Sequence, residues 1–110
     1  DPFEGPHRGF EVPGPIAALD GISIVGGLAY TSALVPGTGR LGLWINAVMV
    51  IPQYRRQGIA TELIRHALAK AALTTHNRLY VFTDRPELYK GWKLLQQLDG
   101  SSIFHTTIVR

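Results

Sequence analysis

Residues 55–61 read Arg-Arg-Gln-Gly-Ile-Ala-Thr and stand between a segment typical of a strand and a segment typical of a helix. The segment before them, residues 44–51, is rich in β-branched and large apolar residues, which favour strands. After them, apolar residues recur at the spacing of one helix face: Ile59, Leu63, Ile64, Ala67, Leu68 and Ala71. The sequence therefore predicts a strand, a basic glycine-containing turn and a helix, in that order.

A turn of this kind is suited to bind an anion. The N–H groups in the first turn of a helix have no partner within the helix, and the helix dipole favours negative charge there. Gly58 lets the backbone approach a ligand closely, and Arg55 and Arg56 add positive charge. Two common phosphate motifs are excluded. No lysine precedes a serine or threonine, and Gly37-Thr-Gly39 lacks the third glycine of a dinucleotide fold.

The composition is that of one small domain of 110 residues with a single core. The chain has no cysteine, which excludes disulfides, thiolate catalysis and zinc-thiolate sites. No apolar run reaches the ~20 residues that span a bilayer, so we expect a cytoplasmic protein without a membrane partner. The net charge of +3 is spread along the chain and suits a small anionic ligand at least as well as nucleic acid. We therefore predict no nucleic-acid partner.

Residues 1–15 hold many of the prolines, and we expect this segment to be irregular, with residues 16–110 forming the folded domain. Asp20-Gly21 predicts a hairpin turn, Gly26 and Gly27 a bulge or a close backbone approach, and Asp84 the cap of a short helix. The predicted elements are strands at 16–20, 22–30 and 41–51, a helix at 59–73, a strand at 79–83, the short helix from Asp84, and a closing hairpin of residues 92–98 and 103–109.

The segment Val50-x-Pro52-x-Tyr54-Arg55-x-x-Gly58-Ile59-Ala60 resembles the Arg/Gln-x-x-Gly-x-Gly/Ala signature of the GCN5-related N-acetyltransferases, the GNAT superfamily. Downstream, Leu88-Tyr89 and Gly91-Trp92 follow in the order in which that family places a Leu-Tyr pair and a Gly-aromatic pair before its final hairpin. The resemblance implies an α+β fold with a single mixed, mostly antiparallel sheet, a central helix and a short second helix. We expect the strand and helices with which the family begins to be lacking from residues 1–110, since nothing before Ile16 has their pattern.

The resemblance also implies a co-substrate, acetyl-CoA, and the residues that bind it. The backbone of Gln57, Gly58, Ile59 and Ala60 would contact the pyrophosphate, and the side chains of Arg55, Arg56 and Thr61 would assist. Val48, Met49 and Val50 would pair their backbone with the pantetheine arm. No metal is expected, because the histidines are scattered and no pairing of histidine with carboxylate recurs.

Tyr89 matches the tyrosine that many members of the family use as general acid toward the departing thiolate. Because a thiol has a pKa near 8.5, that leaving group needs only modest help from a proton donor. The spacing from Tyr89 to Gly91-Trp92 is shorter than is usual in the family, which predicts a clipped second helix.

The general base is not assigned by the resemblance. The family's carboxylate on the strand before the turn falls near Trp44, which cannot accept a proton, and Asn46 could only hold a water. Glu11, Glu87 and His105 remain as titratable candidates by elimination. We expect deprotonation through water or an amine that arrives neutral.

The predicted function is transfer of an acetyl group from acetyl-CoA directly to a primary amine of a small molecule or a protein. The alternative is a module that binds coenzyme A or acetyl-CoA as a sensor, without efficient turnover. A small RNA-binding domain is a remote third hypothesis, because its aromatic and basic strand signature is missing. For the wall that the absent front segment would form, three alternatives are open: a minimal member, a segment outside this chain, or a partner subunit, as in a homodimer.

Overall fold

The computed structural model describes residues 10–110 of the chain. Residues 10–15 form no helix or strand. The rest of the segment for which the sequence predicts irregular structure, residues 1–9, lies outside the described residues. The division into residues 1–15 and 16–110 stays a prediction.

Residues 10–110 contain six strands, one α-helix and two short 3-10 segments, in the order that the sequence predicts. The strands are β1 (Ile16–Asp20), β2 (Ser23–Leu34), β3 (Leu41–Val50), β4 (Arg78–Thr83), β5 (Lys93–Leu98) and β6 (Ser101–Thr107). The helix α1 (Ile59–Ala71) lies between β3 and β4, and the 3-10 segments cover Pro52–Tyr54 and Pro86–Tyr89. No helix among these residues is long and apolar enough to cross a membrane.

The strands form one sheet in the order β1-β2-β3-β4-β6-β5. Neighbouring strands are antiparallel except for β3 and β4, which are parallel. A parallel pair needs a long crossover connection, and α1 supplies it. The predicted mixed, mostly antiparallel sheet with a central helix is therefore confirmed.

One face of the sheet, which we call the packed face, lies against α1. Leu43 of β3 and Leu79 of β4 are fully buried in this core, and Ala67 and Ala71 are the fully buried helix residues. The Tyr30 hydroxyl donates a hydrogen bond to the Ala67 carbonyl oxygen at 2.6 Å, and burial raises the pKa of Tyr30 to about 12. Since burying a leucine contributes about 2 kcal/mol, this face is the main source of stability.

The opposite face, which we call the open face, carries no helix from residues 10–110. Trp44 packs there in a small cluster with Val35 and Ile103, and its Nε1 donates a hydrogen bond to the Ala33 carbonyl oxygen at 3.0 Å. Further out on this face the apolar side chains of Leu19, Met49 and Phe82 are 62%, 72% and 55% exposed. Successive side chains of a strand point to opposite faces, so each of these follows a neighbour that is packed on α1.

The sequence predicts a bulge or a close backbone approach at Gly26 and Gly27 of β2, and the structure has both near Gly26. Gly26 pairs with Ala18 while Ile24 pairs with Leu19, which leaves Val25 as the extra residue of a β-bulge. A Cβ atom on Gly26 would lie 2.8 Å from the Met49 carbonyl oxygen, so the close backbone approach is also confirmed.

Several predicted boundaries differ from the structure. α1 ends at Ala71 rather than near residue 73, and β6 covers Ser101–Thr107 rather than residues 103–109. β2 continues past Tyr30 to Leu34, because residues 31–34 pair with the start of β3. The prediction that Asp84 caps a helix is wrong, because the second helical segment is a single 3-10 turn whose N-cap residue is Arg85 without a side-chain cap bond. The Arg85 N–H donates instead to Thr83 Oγ1 at 2.9 Å, so Thr83 satisfies the backbone at this point.

Candidate functional site

β3 and β4 separate in the middle of the sheet. Their ladder consists of three pairs, which end at Ile45 with Val81. At the next residue β3 bulges, because Tyr30 of β2 pairs with Ile45 and Ala29 pairs with Ala47, which leaves Asn46 as the extra residue. From Asn46 to the end of β3, the side of the strand that faced β4 has no strand partner among the described residues. Backbone N–H and C=O groups are therefore available there for a ligand.

The chain then turns sharply into α1. Arg56 and Gly58 both adopt the left-handed conformation, with φ of 64° and 79°. The first helical hydrogen bond runs from the Glu62 N–H to the Gly58 carbonyl oxygen at 3.0 Å. Within residues 10–110 the N–H groups of Ile59, Ala60 and Thr61 donate no backbone hydrogen bond. Free N–H groups at the positive end of a helix dipole make an anion-binding surface.

The two arginines of the turn have different roles in the structure. Arg55 folds back, and its Nε donates a hydrogen bond to the Val50 carbonyl oxygen at 3.1 Å, which ties the turn to the end of β3. Arg56 is exposed, and its side chain makes no hydrogen bond or ion pair with the residues described. A left-handed conformation costs a residue other than glycine about 1 kcal/mol or more, and such strain concentrates at functional sites. Within the described part of the chain, Arg56 is thus the free cation of the turn.

A cavity of about 1050 Å³ opens where the strands separate and the helix begins. This volume is at the upper end for sites of small molecules and cofactors, roughly 300–1,000 Å³. The lining brings together these predicted residues: Val48, Met49, Val50, Arg55, Arg56, Gly58, Ile59, Ala60, Thr61 and Tyr89. Gln57 does not line the cavity, and its side-chain Nε2 donates instead to the Gln53 carbonyl oxygen at 3.4 Å.

Tyr89 lies at the edge of the packed core and of the cavity. It is 3% exposed, and its ring meets that of Trp92 edge-on at a centroid distance of 5.0 Å. Tyr89 lines the cavity, and its hydroxyl has no hydrogen-bond partner among residues 10–110. Burial raises the pKa of Tyr89 to about 12. The hydroxyl therefore keeps its proton at neutral pH and is a hydrogen-bond donor.

The short connection around Tyr89 explains how it reaches this place. The predicted clipped helix is confirmed, because the 3-10 segment has four residues, Pro86–Tyr89. The chain leaves it through Gly91 at φ 85°, and the Trp92 N–H donates to the Tyr89 carbonyl oxygen at 3.1 Å. The single turn thus anchors Tyr89 between the cavity and β5.

The three candidate general bases do not line the cavity. Glu11 accepts hydrogen bonds from the N–H and Oγ1 of Thr75, and Glu87 pairs with Arg85. His105 stacks on Tyr80 at a centroid distance of 5.8 Å on the open face. Burial and the nearby cations Arg78 and Lys93 lower its pKa. These residues are therefore not placed to take a proton from an acceptor in the cavity.

The cavity also has lining residues that the sequence did not assign to a site: Asn46, Tyr54, Phe82, Thr83, Asp84, Arg85, Leu88 and Ser101. Several of them lie at or just beyond the end of β4. A signal for them was present, because the carboxyl ends of two parallel strands meet at one edge of a sheet. Asp84 directly follows β4 and is the carboxylate among the lining residues.

Among residues 10–110 no group of three or more histidine, aspartate or glutamate side chains is arranged to hold a metal ion. The expectation that the site uses no metal stays a prediction.

Comparison with protein families gives one match, in which the model of the acetyltransferase (GNAT) family aligns with residues 4–98. No curated protein sequence matches significantly.

Solved structures share the fold. An aminoglycoside 6′-acetyltransferase type Ii is 22% identical, with a TM-score of 0.68, over 87% of this chain and 69% of that one. An aminoglycoside 6′-N-acetyltransferase complexed with coenzyme A is 19% identical, with a TM-score of 0.65, over 87% and 73%. NAA60 of Arabidopsis thaliana, in complex with a bisubstrate analogue, is 16% identical, with a TM-score of 0.61, over 76% and 64%. At these identities the likeness is one of fold alone, and the chain spans only part of each structure.

The separated strands, the turn before α1 and the six-stranded order thus occur together in one chain. The family match covers most of the 110 residues, including every element from β1 to β5. The chain therefore belongs to the GNAT family of acetyltransferases.

Proposed function

We propose that this domain binds acetyl-CoA at the turn before α1 and transfers the acetyl group directly to a primary amine of a small molecule or a protein. The observation that carries the proposal is the separation of β3 from β4 beside this turn. It combines free helix N–H groups, the exposed cation of Arg56 and an open strand edge in one cavity. Phosphate groups suit the helix N–H groups and the Arg56 cation, and amide groups suit the open strand edge.

The donor would lie with its pyrophosphate on the backbone of Gln57, Gly58, Ile59 and Ala60, near Arg56 and Thr61. Gln57 fits this role through its backbone only, because its side chain is directed to Gln53. Arg55 acts mainly by holding the turn against Val50. The backbone groups of residues 48–50 on the open edge of β3, apart from the Val50 carbonyl oxygen that accepts from Arg55, would pair with the amides of the pantetheine arm.

Bound acetyl-CoA would supply an activated acetyl group, whose bond to sulfur breaks as a bond to the acceptor nitrogen forms. Tyr89 would donate a hydrogen bond to the departing sulfur, because it lines the cavity and its hydroxyl stays protonated. A thiol has a pKa near 8.5, well below that of Tyr89, so the hydroxyl stabilises the sulfur mainly as a hydrogen-bond donor. The proton of the amine passes to water. With no cysteine in the chain, we expect no acyl-enzyme.

The donor site is tested by thermal unfolding with and without acetyl-CoA. A ligand that binds only the folded state at 100 times its Kd stabilises it by about 2.7 kcal/mol, which raises the unfolding temperature. Arg56→Glu should abolish this rise. Arg40→Glu is the matched control, since Arg40 is an exposed turn arginine that does not line the cavity. An equal rise in all three proteins would contradict the assignment of the turn.

One observation favours the sensor alternative. No glutamate or histidine that could act as a general base lines the cavity among the residues described. Release of the free thiol with a panel of amines separates the two functions. If the domain is an enzyme, Tyr89→Phe should lower kcat about 10- to 100-fold, the worth of one hydrogen bond to a developing charge. A background rate with every amine, unchanged in Tyr89→Phe, would favour the sensor.

A further inference from the structure

The carboxylates of the described chain differ in what they contact. Four of them have a partner and do not themselves line the cavity: Glu11 with Thr75, Asp20 with Tyr54, Glu62 with Arg65 and Glu87 with Arg85. Asp84 is exposed, lines the cavity and makes no hydrogen bond or ion pair within residues 10–110. Its charge acts on the neighbouring Arg85, whose pKa it helps to raise, while its carboxylate oxygens stay without a partner in this part of the chain and can accept a hydrogen bond from a ligand beside β4.

Two apolar side chains line the same cavity from the open face. Phe82 precedes Asp84 by two residues and is 55% exposed, while Met49 of β3 is 72% exposed. Their neighbours Val48, Val50 and Val81 belong to the packed core on the other side of the sheet. The cavity thus has its anion-binding turn and Tyr89 on the packed face, and an apolar surface on the open face.

We propose that Asp84, Phe82 and Met49 form the acceptor site and select an amine that carries a single positive charge next to an apolar group. This inference rests on the proposed function, because it names the acceptor of the same reaction. An alkylamine is a cation before it loses its proton, and a carboxylate binds an ammonium group by a charge-assisted hydrogen bond. The apolar group would cover Phe82 and Met49 and remove their surface from water.

The surrounding charges argue against acceptors with several amino groups. Arg85, the residue directly after Asp84, lines the same cavity as a cation on the acceptor side. Further along the open face, Arg78 and Lys93 lie close enough to His105 to lower its pKa. An acceptor with several amino groups could pair only one of them with the Asp84 carboxylate. Its other amino groups would lie near these cations, and repulsion between like charges is unfavourable. The chain thus shares a fold with the aminoglycoside 6′-acetyltransferases but lacks a cluster of free carboxylates beside its cavity within residues 10–110.

The experiment measures initial rates of thiol release at saturating acetyl-CoA with four probes. Phenethylamine has one charge and an apolar group, ethanolamine has one charge and a polar group, and spermidine and kanamycin have several charges. We expect kcat/KM for phenethylamine to exceed that of each other probe by about tenfold or more, as for a few methylene groups in an apolar site.

Variants assign this preference to residues. Asp84→Asn should raise KM for phenethylamine about tenfold while kcat changes little, because a hydrogen bond to a charge is lost in binding. Asp84→Glu should restore most of the affinity. Phe82→Ala should reduce the difference between phenethylamine and ethanolamine. Asp99→Asn is the matched control, since Asp99 is an exposed aspartate in the β5–β6 turn that does not line the cavity.

The outcomes separate the two proposals. Turnover that prefers spermidine or kanamycin, or a KM for phenethylamine that Asp84→Asn leaves unchanged, overturns the acceptor site and leaves the proposed function standing. No turnover with any probe, while acetyl-CoA still raises the unfolding temperature, overturns transfer to small amines and the acceptor site together. Equal KM changes in Asp84→Asn and Asp99→Asn would show that the change in net charge, and not a contact with Asp84, raises KM. That result would also overturn the acceptor site.

Discussion

The two faces of the sheet are built from the same strands but have opposite properties. On the packed face, Leu43 and Leu79 are fully buried against α1, and even the hydroxyl of Tyr30 is bonded to the helix. On the open face, Met49 and Phe82 are more than half exposed. Alternation along a strand places residues of both kinds side by side in sequence. Stability is therefore concentrated on one face, and exposed apolar surface lies on the other.

This difference teaches that neighbouring residues of β3 and β4 can be under separate physical constraints. A change on the packed face must keep volume and shape, because the core is tightly filled. A change on the open face alters what the surface attracts and leaves the fold largely intact. Three predictions test this separation.

The largest effect is expected for Leu43→Ala. Truncating a fully buried leucine leaves a cavity and should lower the free energy of unfolding by about 3 kcal/mol. The matched control is Leu19→Ala on the open face, where the side chain is 62% exposed and the loss should be below about 1 kcal/mol. Urea denaturation of both variants measures the two losses. Equal losses would break the comparison of the faces.

A smaller effect is expected for Gly58→Ala. An alanine Cβ would meet no atom within 4 Å there, but φ of 79° is unfavourable for alanine and costs about 1 kcal/mol. Gly37→Ala has the same φ and the same open surroundings, so it should lose as much stability. If the packed face binds the donor, only Gly58→Ala should also weaken acetyl-CoA binding, measured by calorimetric titration. Equal affinities of Gly58→Ala and Gly37→Ala for acetyl-CoA would contradict binding of the donor at this turn.

The last expected effect concerns pH. Burial raises the pKa of Tyr30 and of Tyr89 to about 12, while an unfolded tyrosine has a pKa near 10. The neutral form is thus favoured in the folded state, so this stability is complete below pH 10 and is lost as the pH rises from 10 through 12. Urea midpoints at pH 7, 9 and 11 check the trend, and Tyr30→Phe should show a smaller loss at pH 11. A loss already complete by pH 9 would exclude these two phenols as its cause.

Local signals made the geometry of the candidate donor site largely predictable. Apolar periodicity indicated α1, and Gly58 marked its start. The Leu88-Tyr89 and Gly91-Trp92 pairs indicated the second helical segment and the start of the final hairpin. Each of these signals depends on residues that are close in sequence. The backbone conformation of the turn depends on the same local chemistry, which is why the turn and the helix start were found together.

The acceptor side was not predictable in this way. Asn46 becomes a bulge through its pairing with β2, and Asp84 enters the cavity only because β4 lies parallel to β3. Both facts depend on pairing between segments that are distant in sequence. The misassignment of Asp84 as a helix cap has the same origin, since local chemistry favours aspartate both at caps and at a ligand site.

The three residue pairs that join β3 to β4 divide the sheet into two antiparallel halves, β1–β2–β3 and β4–β6–β5. Within each half, strands are held by long ladders, so each half is a cooperative unit with little reason to open internally. The line between the halves holds fewest hydrogen bonds and is the line along which the sheet opens at least cost. A ligand bound between β3 and β4 would add hydrogen bonds along this line, so the two halves would be held together most strongly in the ligand-bound protein.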